Sequence, residues 1–151
     1  MKGRRRFLAG LVGAVTLPAA MPKIAQAQEL RSIDSFVQAV TKGAPVRRGR
    51  VKIELPQLAD NGNAVPVTVS VEGPLTATDY VKGIYLISNR NPVAEMASFH
   101  LGPRSGRARV VTRVRLAGSQ TVTVIAALSD GTFWVDSAPV VVTLSACMDE
   151  S

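Results

Sequence analysis

The chain has 151 residues, which suits one domain with a single hydrophobic core. It carries 18 Lys and Arg against 11 Asp and Glu, a net charge of +7. Five of these bases and none of the acids fall within residues 1–27, so the remaining 13 bases against 11 acids leave +2 for residues 28–151. The high net charge therefore comes from the segment that precedes Gln28 and gives no support to a nucleic-acid-binding function.

The segment that precedes Gln28 has the pattern of an export signal. Residues 4–8 read Arg-Arg-Arg-Phe-Leu, a twin-arginine motif, and an apolar run follows over residues 8–20. Residues 25–27 read Ala-Gln-Ala, the small-x-small site of a signal peptidase. We therefore predict a twin-arginine signal peptide over residues 1–27, a mature domain over 28–151, and a periplasmic protein without membrane attachment. An uncleaved anchor or a basic arm is the alternative, although the apolar run is short for a membrane span.

Hydrophobic periodicity predicts one helix followed by short strands. The helix presents one apolar face and ends before Gly43 and Pro45; its apolar residues are Leu30, Ile33, Phe36, Val37 and Val40. Residues 46–50 read as a basic loop, and residues 60–63 (Asp-Asn-Gly-Asn) as a turn. Alternation predicts strands near residues 51–55, 65–72, 81–88, 94–101, 107–116, 121–129, 132–136 and 138–144.

These seven or eight strands, with turns every eight to twelve residues, favour an antiparallel β-sandwich of immunoglobulin type. In the strand over residues 107–116, Val110, Val111 and Val114 are expected to face the core, and the arginines to face solvent. The exposed arginine series from Arg104 to Arg115 could attract anions, although the polar face of an amphipathic strand is the favoured interpretation. Asp130-Gly131 is the clearest two-residue hairpin signal. An antiparallel barrel is the alternative fold.

The catalytic inventory is small, with one cysteine and one histidine in the whole chain. No cofactor or metal motif is present in the sequence, and His100 fits a structural or surface position in its strand. Cys147 has no cysteine with which to form an internal disulfide, so an inert buried thiol, an intermolecular bond or a reactive thiol remain open. Asp149 and Glu150 disfavour its thiolate, so activation would have to come from a receiving enzyme. The tail thus has the properties of a carrier arm.

Several segments, taken in chain order, resemble the SoxY family, the sulfur-carrier subunits of bacterial thiosulfate oxidation. They are residues 60–72 (Asp-Asn-Gly-Asn-Ala-Val-Pro-Val-Thr-Val-Ser-Val-Glu), 80–85 (Tyr-Val-Lys-Gly-Ile-Tyr), 91–92 (Asn-Pro), 99–100 (Phe-His), 112–122 and 129–134. The resemblance implies an immunoglobulin-like sandwich that pairs with a SoxZ-like subunit. It also implies that Cys147 is the covalent attachment point for sulfur, on an arm of about residues 145–151 flanked by Ser145, Ala146 and Met148.

The resemblance further implies that the protein is not an enzyme but a carrier acted on by others. Those partners are a haem-containing SoxAX enzyme, a SoxB-type hydrolase and a sulfur dehydrogenase. The family's usual ending is Gly-Gly-Cys-Gly-Gly, whereas residues 145–151 here read Ser-Ala-Cys-Met-Asp-Glu-Ser. The bulk and charge after the cysteine leave a second interpretation open, a divergent partner-binding paralogue without carrier activity.

Overall fold

The fold was obtained as a computed structural model, which describes residues 34–73 and 76–146. Helix α1 covers residues 34–41, and a short 3-10 turn covers Gly62–Ala64. The strands are β1 (Val46–Arg47), β2 (Val51–Glu54), β3 (Leu58–Asn61), β4 (Val65–Val71), β5 (Val81–Ser88), β6 (Glu95–His100), β7 (Arg109–Val114), β8 (Gln120–Leu128) and β9 (Phe133–Leu144). Within these described residues no helix is long and apolar enough to cross a membrane.

The strands form two sheets, which confirms the predicted immunoglobulin-like sandwich. The larger sheet has the order β1-β9-β8-β5-β6, with β3 also paired to β9, and the smaller has the order β2-β4-β7. Strands β1 and β3 run parallel to β9, whereas the other pairs are antiparallel. β9 is therefore an interior strand, with β8 along one side and β1 followed by β3 along the other.

The core lies between the two sheets, where alternate residues of each strand point inward. In β4, Val65, Val67 and Val69 are at most 1% exposed, and they belong to the same buried cluster as Ile84 of β5 and Val124 of β8. Burying each such side chain contributes about 1.5–3 kcal/mol. The two sheets are therefore held together by the apolar side chains on their facing sides.

Helix α1 covers part of the outer face of the larger sheet. Phe36 packs edge-to-face on Tyr85, with ring centroids 6.4 Å apart, and Tyr85 makes a similar contact with His100 at 6.2 Å. Lys42 and Gly43 adopt positive φ angles of 53° and 81° at the end of the helix, as the sequence predicted for this boundary. Leu30 and Ile33, which were assigned to the same helical face, lie outside the described residues.

Two segments that were predicted to be loop or turn pair instead with β9. Residues 46–47 form β1, and residues 58–61 form β3, although Asp60-Asn61 was assigned to a turn. The predicted turn is present directly after β3, at Gly62–Ala64, where the side chain of Asn61 accepts a hydrogen bond from the Asn63 amide at 2.8 Å. Both missed strands are short, and their partner strand lies near the other end of the chain, so local sequence patterns carry little sign of them.

Two further expectations were wrong. The predicted strands over residues 132–136 and 138–144 are one continuous strand, β9, which includes Pro139. Proline has no backbone N–H to donate, and Pro139 is tolerated because it lies between the part of β9 that pairs with β1 and the part that pairs with β3. Val111, expected in the core, is 65% exposed, because β7 alternates through Val110 and Thr112 on its inner side.

Candidate functional site at the end of the last strand

The second half of β9 leads toward the predicted arm and is held along one edge by β3. The parallel register runs from Leu58 opposite Val141 to Asn61 opposite Leu144. Just before this register, the Val141 amide donates to the carbonyl of Gln57 at 2.9 Å. The strand therefore keeps backbone partners up to its last residue.

Side chains add two more anchors near the end of β9. The amide of Val142 donates to the hydroxyl of Ser119 at 2.9 Å, on the side where β8 has not yet begun. The hydroxyl of Thr143 donates to the carbonyl of Asp60 at 2.7 Å, on the β3 side. These two hydrogen bonds hold the part of β9 that follows its pairing with β8.

At the end of the described residues, the amide of Ala146 donates to the carbonyl of Leu116 at 3.0 Å. The amide of Leu116 in turn donates to the carbonyl of Gly62 at 2.9 Å. A Cβ on residue 62 would overlap the Leu116 carbonyl oxygen and would lie 3.1 Å from the Ala146 nitrogen. The close approach of these three backbone segments, which we call the arm anchor, therefore requires glycine at position 62.

The structure places only part of the predicted site. Ser145 and Ala146 are half-buried at the end of the sandwich, next to Leu144, which is 66% exposed. Cys147 and Met148 lie outside the described residues. The predicted attachment residue thus directly follows Ala146, the last residue that the structure describes, whose amide is hydrogen-bonded to Leu116.

A partly buried polar network lies next to the arm anchor, and no prediction from the sequence included it. The hydroxyl of Ser88 donates to the Gln120 side-chain oxygen and accepts the amide of Asn91 at 2.7 Å. The Asn91 side chain donates to the carbonyl of Arg115 at 2.8 Å and accepts the amide of Ala117 at 2.9 Å. The run Asn-Arg-Asn-Pro at residues 89–92 signals a loop, but no local pattern signals the partners of its side chains.

Beside this network, a groove separates the free edges of the two sheets. Its volume is about 430 Å³, and its lining includes Asn91, Glu95 and Met96 on the β6 side and Arg113 and Arg115 on the β7 side. We call it the edge groove. In the sequence, Arg113 and Arg115 belong to an arginine series that could attract anions, although the solvent-facing side of an amphipathic strand was the favoured interpretation.

The shifted ionisable groups among the described residues belong to other parts of the fold. A hydrogen bond and the charge of Lys52 lower the pKa of Glu54, and the same contact raises the pKa of Lys52. Hydrogen bonds from Thr132 lower the pKa of Asp130 in the β8–β9 turn. His100 is exposed beside Tyr85, and the described chain contains no group of three His, Cys, Asp or Glu residues suited to a metal ion.

A known protein family matches most of this chain. The family model for the sulfur oxidation protein SoxY matches residues 37–147. The chain belongs to the SoxY family. The matched segment begins within α1, includes every strand and ends at the single cysteine of the sequence. No curated protein matches the chain by direct sequence comparison.

Solved structures agree with the SoxY assignment. The sulfur carrier protein SoxY from Chlorobium limicola f thiosulfatophilum is 26% identical, with a TM-score of 0.64 over 76% of this chain and 99% of that one. Superoxide reductase (neelaredoxin) from Ignicoccus hospitalis is 20% identical, with a TM-score of 0.55 over 62% and 80% of the two chains. A putative superoxide reductase from Thermotoga maritima, also 20% identical, has a TM-score of 0.53 over 68% and 89%. At these identities the reductases show a shared fold alone.

Proposed function

We propose that this SoxY-family protein is a periplasmic sulfur carrier that holds sulfur intermediates covalently on Cys147. The observation that carries the proposal is the family match, which runs through the whole sandwich and ends at that cysteine. The similarity to a solved SoxY that is described as a sulfur carrier supports the same role. In this role the protein supplies a thiol and a docking domain, and its partners supply the catalysis.

The arm anchor supports the presentation of that thiol at one end of the sandwich. Ala146 is hydrogen-bonded to Leu116, and the Cα atom of the next residue is about 3.8 Å further on. A partner enzyme must therefore come close to this end of the domain, or else release the Ala146 amide at a cost of about 0.5–1.5 kcal/mol. The exposed side chain of Leu144 offers such a partner an apolar contact at the base of the arm.

The chemistry of the cycle follows from the thiol. A thiolate joined oxidatively to thiosulfate gives a protein thiosulfonate, and two electrons pass to the haem of a SoxAX-type enzyme. Hydrolysis by a SoxB-type enzyme then adds water, releases sulfate and two protons, and leaves a persulfide on the cysteine for a sulfur dehydrogenase. An unperturbed cysteine has a pKa of about 8.5, and Asp149 and Glu150 oppose its ionisation, so the enzyme that loads the arm has to activate the thiol.

The same proposal covers location and assembly. Residues 1–27 direct twin-arginine export and are removed after Ala27, so the carrier works in the periplasm as residues 28–151. Its structural partner is a SoxZ-like subunit, in a heterodimer or a larger complex. The altered tail, with Met148, Asp149 and Glu150 after the cysteine, favours a second candidate, a partner-binding paralogue that has lost carrier activity.

Intact-protein mass spectrometry under non-reducing conditions separates the two candidates. The exported protein is compared from cells grown with and without thiosulfate, alongside a Cys147→Ser variant. A carrier shows added sulfur mass that maps to Cys147, disappears on reduction and is absent from the variant. A bare thiol under both conditions, with the SoxZ-like subunit still co-purifying, refutes the carrier role in favour of the paralogue.

A tail variant tests whether the residues after Cys147, which differ from the family's usual glycines, affect loading by the partner enzymes. Replacing Met148, Asp149 and Glu150 with glycine restores a slim, flexible arm after the cysteine. If only this variant is loaded in cells, the natural tail is what blocks the usual partner enzymes. If both are loaded equally, the residues after Cys147 have no effect on acceptance.

A further inference from the structure

The lining of the edge groove carries more positive than negative charge, and its arginines form no ion pair with any described residue. Arg113 and Arg115 are exposed on its β7 side, and Glu95 is the carboxylate in its lining. The ion pair that the described chain contains joins Lys52 to Glu54 in β2, and neither groove arginine has a carboxylate oxygen of the described residues within ion-pair distance. Guanidinium groups present several donors in a planar fork, which suits oxyanions of sulfur and phosphorus.

The groove and the base of the arm are parts of one hydrogen-bonded unit. Asn91 lines the groove and holds the carbonyl of Arg115, and the next residue, Leu116, accepts the amide of Ala146. Arg115 and Cys147 are therefore each one residue away from the Leu116–Ala146 hydrogen bond. The tether from Ala146 to the predicted attachment point is a single peptide unit, about 3.8 Å between Cα atoms, so a group on Cys147 is tethered next to the segment that carries Arg115.

We propose that the edge groove is an anion subsite in which Arg113 and Arg115 bind the oxyanion end of the sulfur species attached to Cys147. The inference rests on the proposed carrier function, and it identifies the cargo as one with an anionic terminus. Such a cargo places negative charge beside Asp149 and Glu150, which repel it. The two guanidinium groups offset that repulsion and hold the cargo against the domain.

The subsite can be tested by chemical loading of the purified protein, without any partner enzyme. The Cys147 thiolate attacks an inner sulfur of tetrathionate, forms an S–S bond and expels thiosulfate, so the product is a protein thiosulfonate and no outside oxidant is needed. The loading rate with this dianion is divided by the loading rate with dipyridyl disulfide, which is neutral. The ratio cancels changes in thiolate pKa or exposure and leaves the attraction for the anion.

Arg113→Gln/Arg115→Gln is compared with Arg107→Gln/Arg109→Gln, which removes the same charge from the other end of β7. We expect the rate ratio to fall about threefold to tenfold in the groove variant and to change much less in the control. In the wild-type protein, the rate ratio should fall as the salt concentration is raised, because salt screens the attraction between the arginines and the anion. NMR of the arginine Nε–Hε groups should show shifts for Arg113 and Arg115 when the wild-type protein is loaded. Urea unfolding of each variant, compared with the wild type, shows that the variants remain folded.

Four results overturn the proposal. The first three are an unchanged rate ratio in the groove variant, an equal fall in groove and control variants, and arginine resonances that do not respond to loading; the fourth concerns the tail. The tail's own carboxylates are the competing anion, so the series is repeated in an Asp149→Asn/Glu150→Gln background. An arginine effect that persists there supports binding of the cargo, whereas one that vanishes assigns the arginines to the tail. Because loading is chemical, failure here is distinct from failure of loading in cells.

Discussion

Replacing Gly62 with alanine should loosen the arm anchor and leave the core intact. A Cβ at this position would overlap the Leu116 carbonyl oxygen, which is backbone and cannot move aside as a side chain would. Relief of the overlap separates residue 62 from Leu116 and disturbs two hydrogen bonds, Leu116 amide to Gly62 carbonyl at 2.9 Å and Ala146 amide to Leu116 carbonyl at 3.0 Å. At about 0.5–1.5 kcal/mol each, their loss lowers the free energy of unfolding by about 1–3 kcal/mol.

Gly102→Ala is the matched control, because a Cβ there has no heavy atom within 4 Å and both substitutions stiffen the unfolded chain in the same way. Urea unfolding gives the difference in stability between the two variants. Amide hydrogen exchange should show faster exchange at Ala146 and Leu116 in Gly62→Ala alone. The reasoning is refuted if the two variants differ in unfolding free energy by less than about 0.5 kcal/mol, the spread of ordinary surface substitutions, and exchange at Ala146 is unchanged.

Two further predictions test other parts of the fold. The lowered pKa of Asp130, caused by hydrogen bonds from Thr132, stabilises the protein above the ordinary aspartate pKa, and this contribution disappears as pH falls through the lowered value. Asp130→Asn should therefore flatten the acid side of the stability–pH curve; a curve parallel to that of the wild type would contradict this. Val69→Ala should cost about 2–3 kcal/mol in urea unfolding and Val111→Ala less than about 0.5 kcal/mol, because Val69 is fully buried and Val111 is 65% exposed. Equal losses would contradict the observed orientation of β7.

Local patterns in the sequence were sufficient for most of the sandwich. The alternation of residues 65–71 and the apolar run of residues 81–88 define β4 and β5, and the Asp130-Gly131 signal marks the β8–β9 turn. In these places burial on one face of a strand, and the backbone needs of a tight turn, act within a few residues. The helix end at Gly43 was predictable for the same reason.

The base of the arm could not be predicted in this way. β3 is recognisable only through its pairing with β9, and Gly62 matters only because Leu116 and Ala146 approach it in space. The cysteine is recognisable because it is unique in the sequence, and the family is recognisable from several separate segments. The residues that hold the preceding strand in place are not recognisable in this way, since their partners lie far away along the chain.

The position of β9 at the end of the chain has a consequence for biosynthesis. Its residues pair with strands that begin as early as Val46, so the larger sheet cannot close on the ribosome until the last strand has emerged. Such long-range pairings make folding slow and keep earlier strands exposed for longer. A nascent chain interrupted before Phe133 lacks the strand to which β1, β3 and β8 all pair, so it cannot complete the larger sheet. A completed sheet therefore requires translation at least to Leu144, close to the cysteine that the proposed carrier role requires.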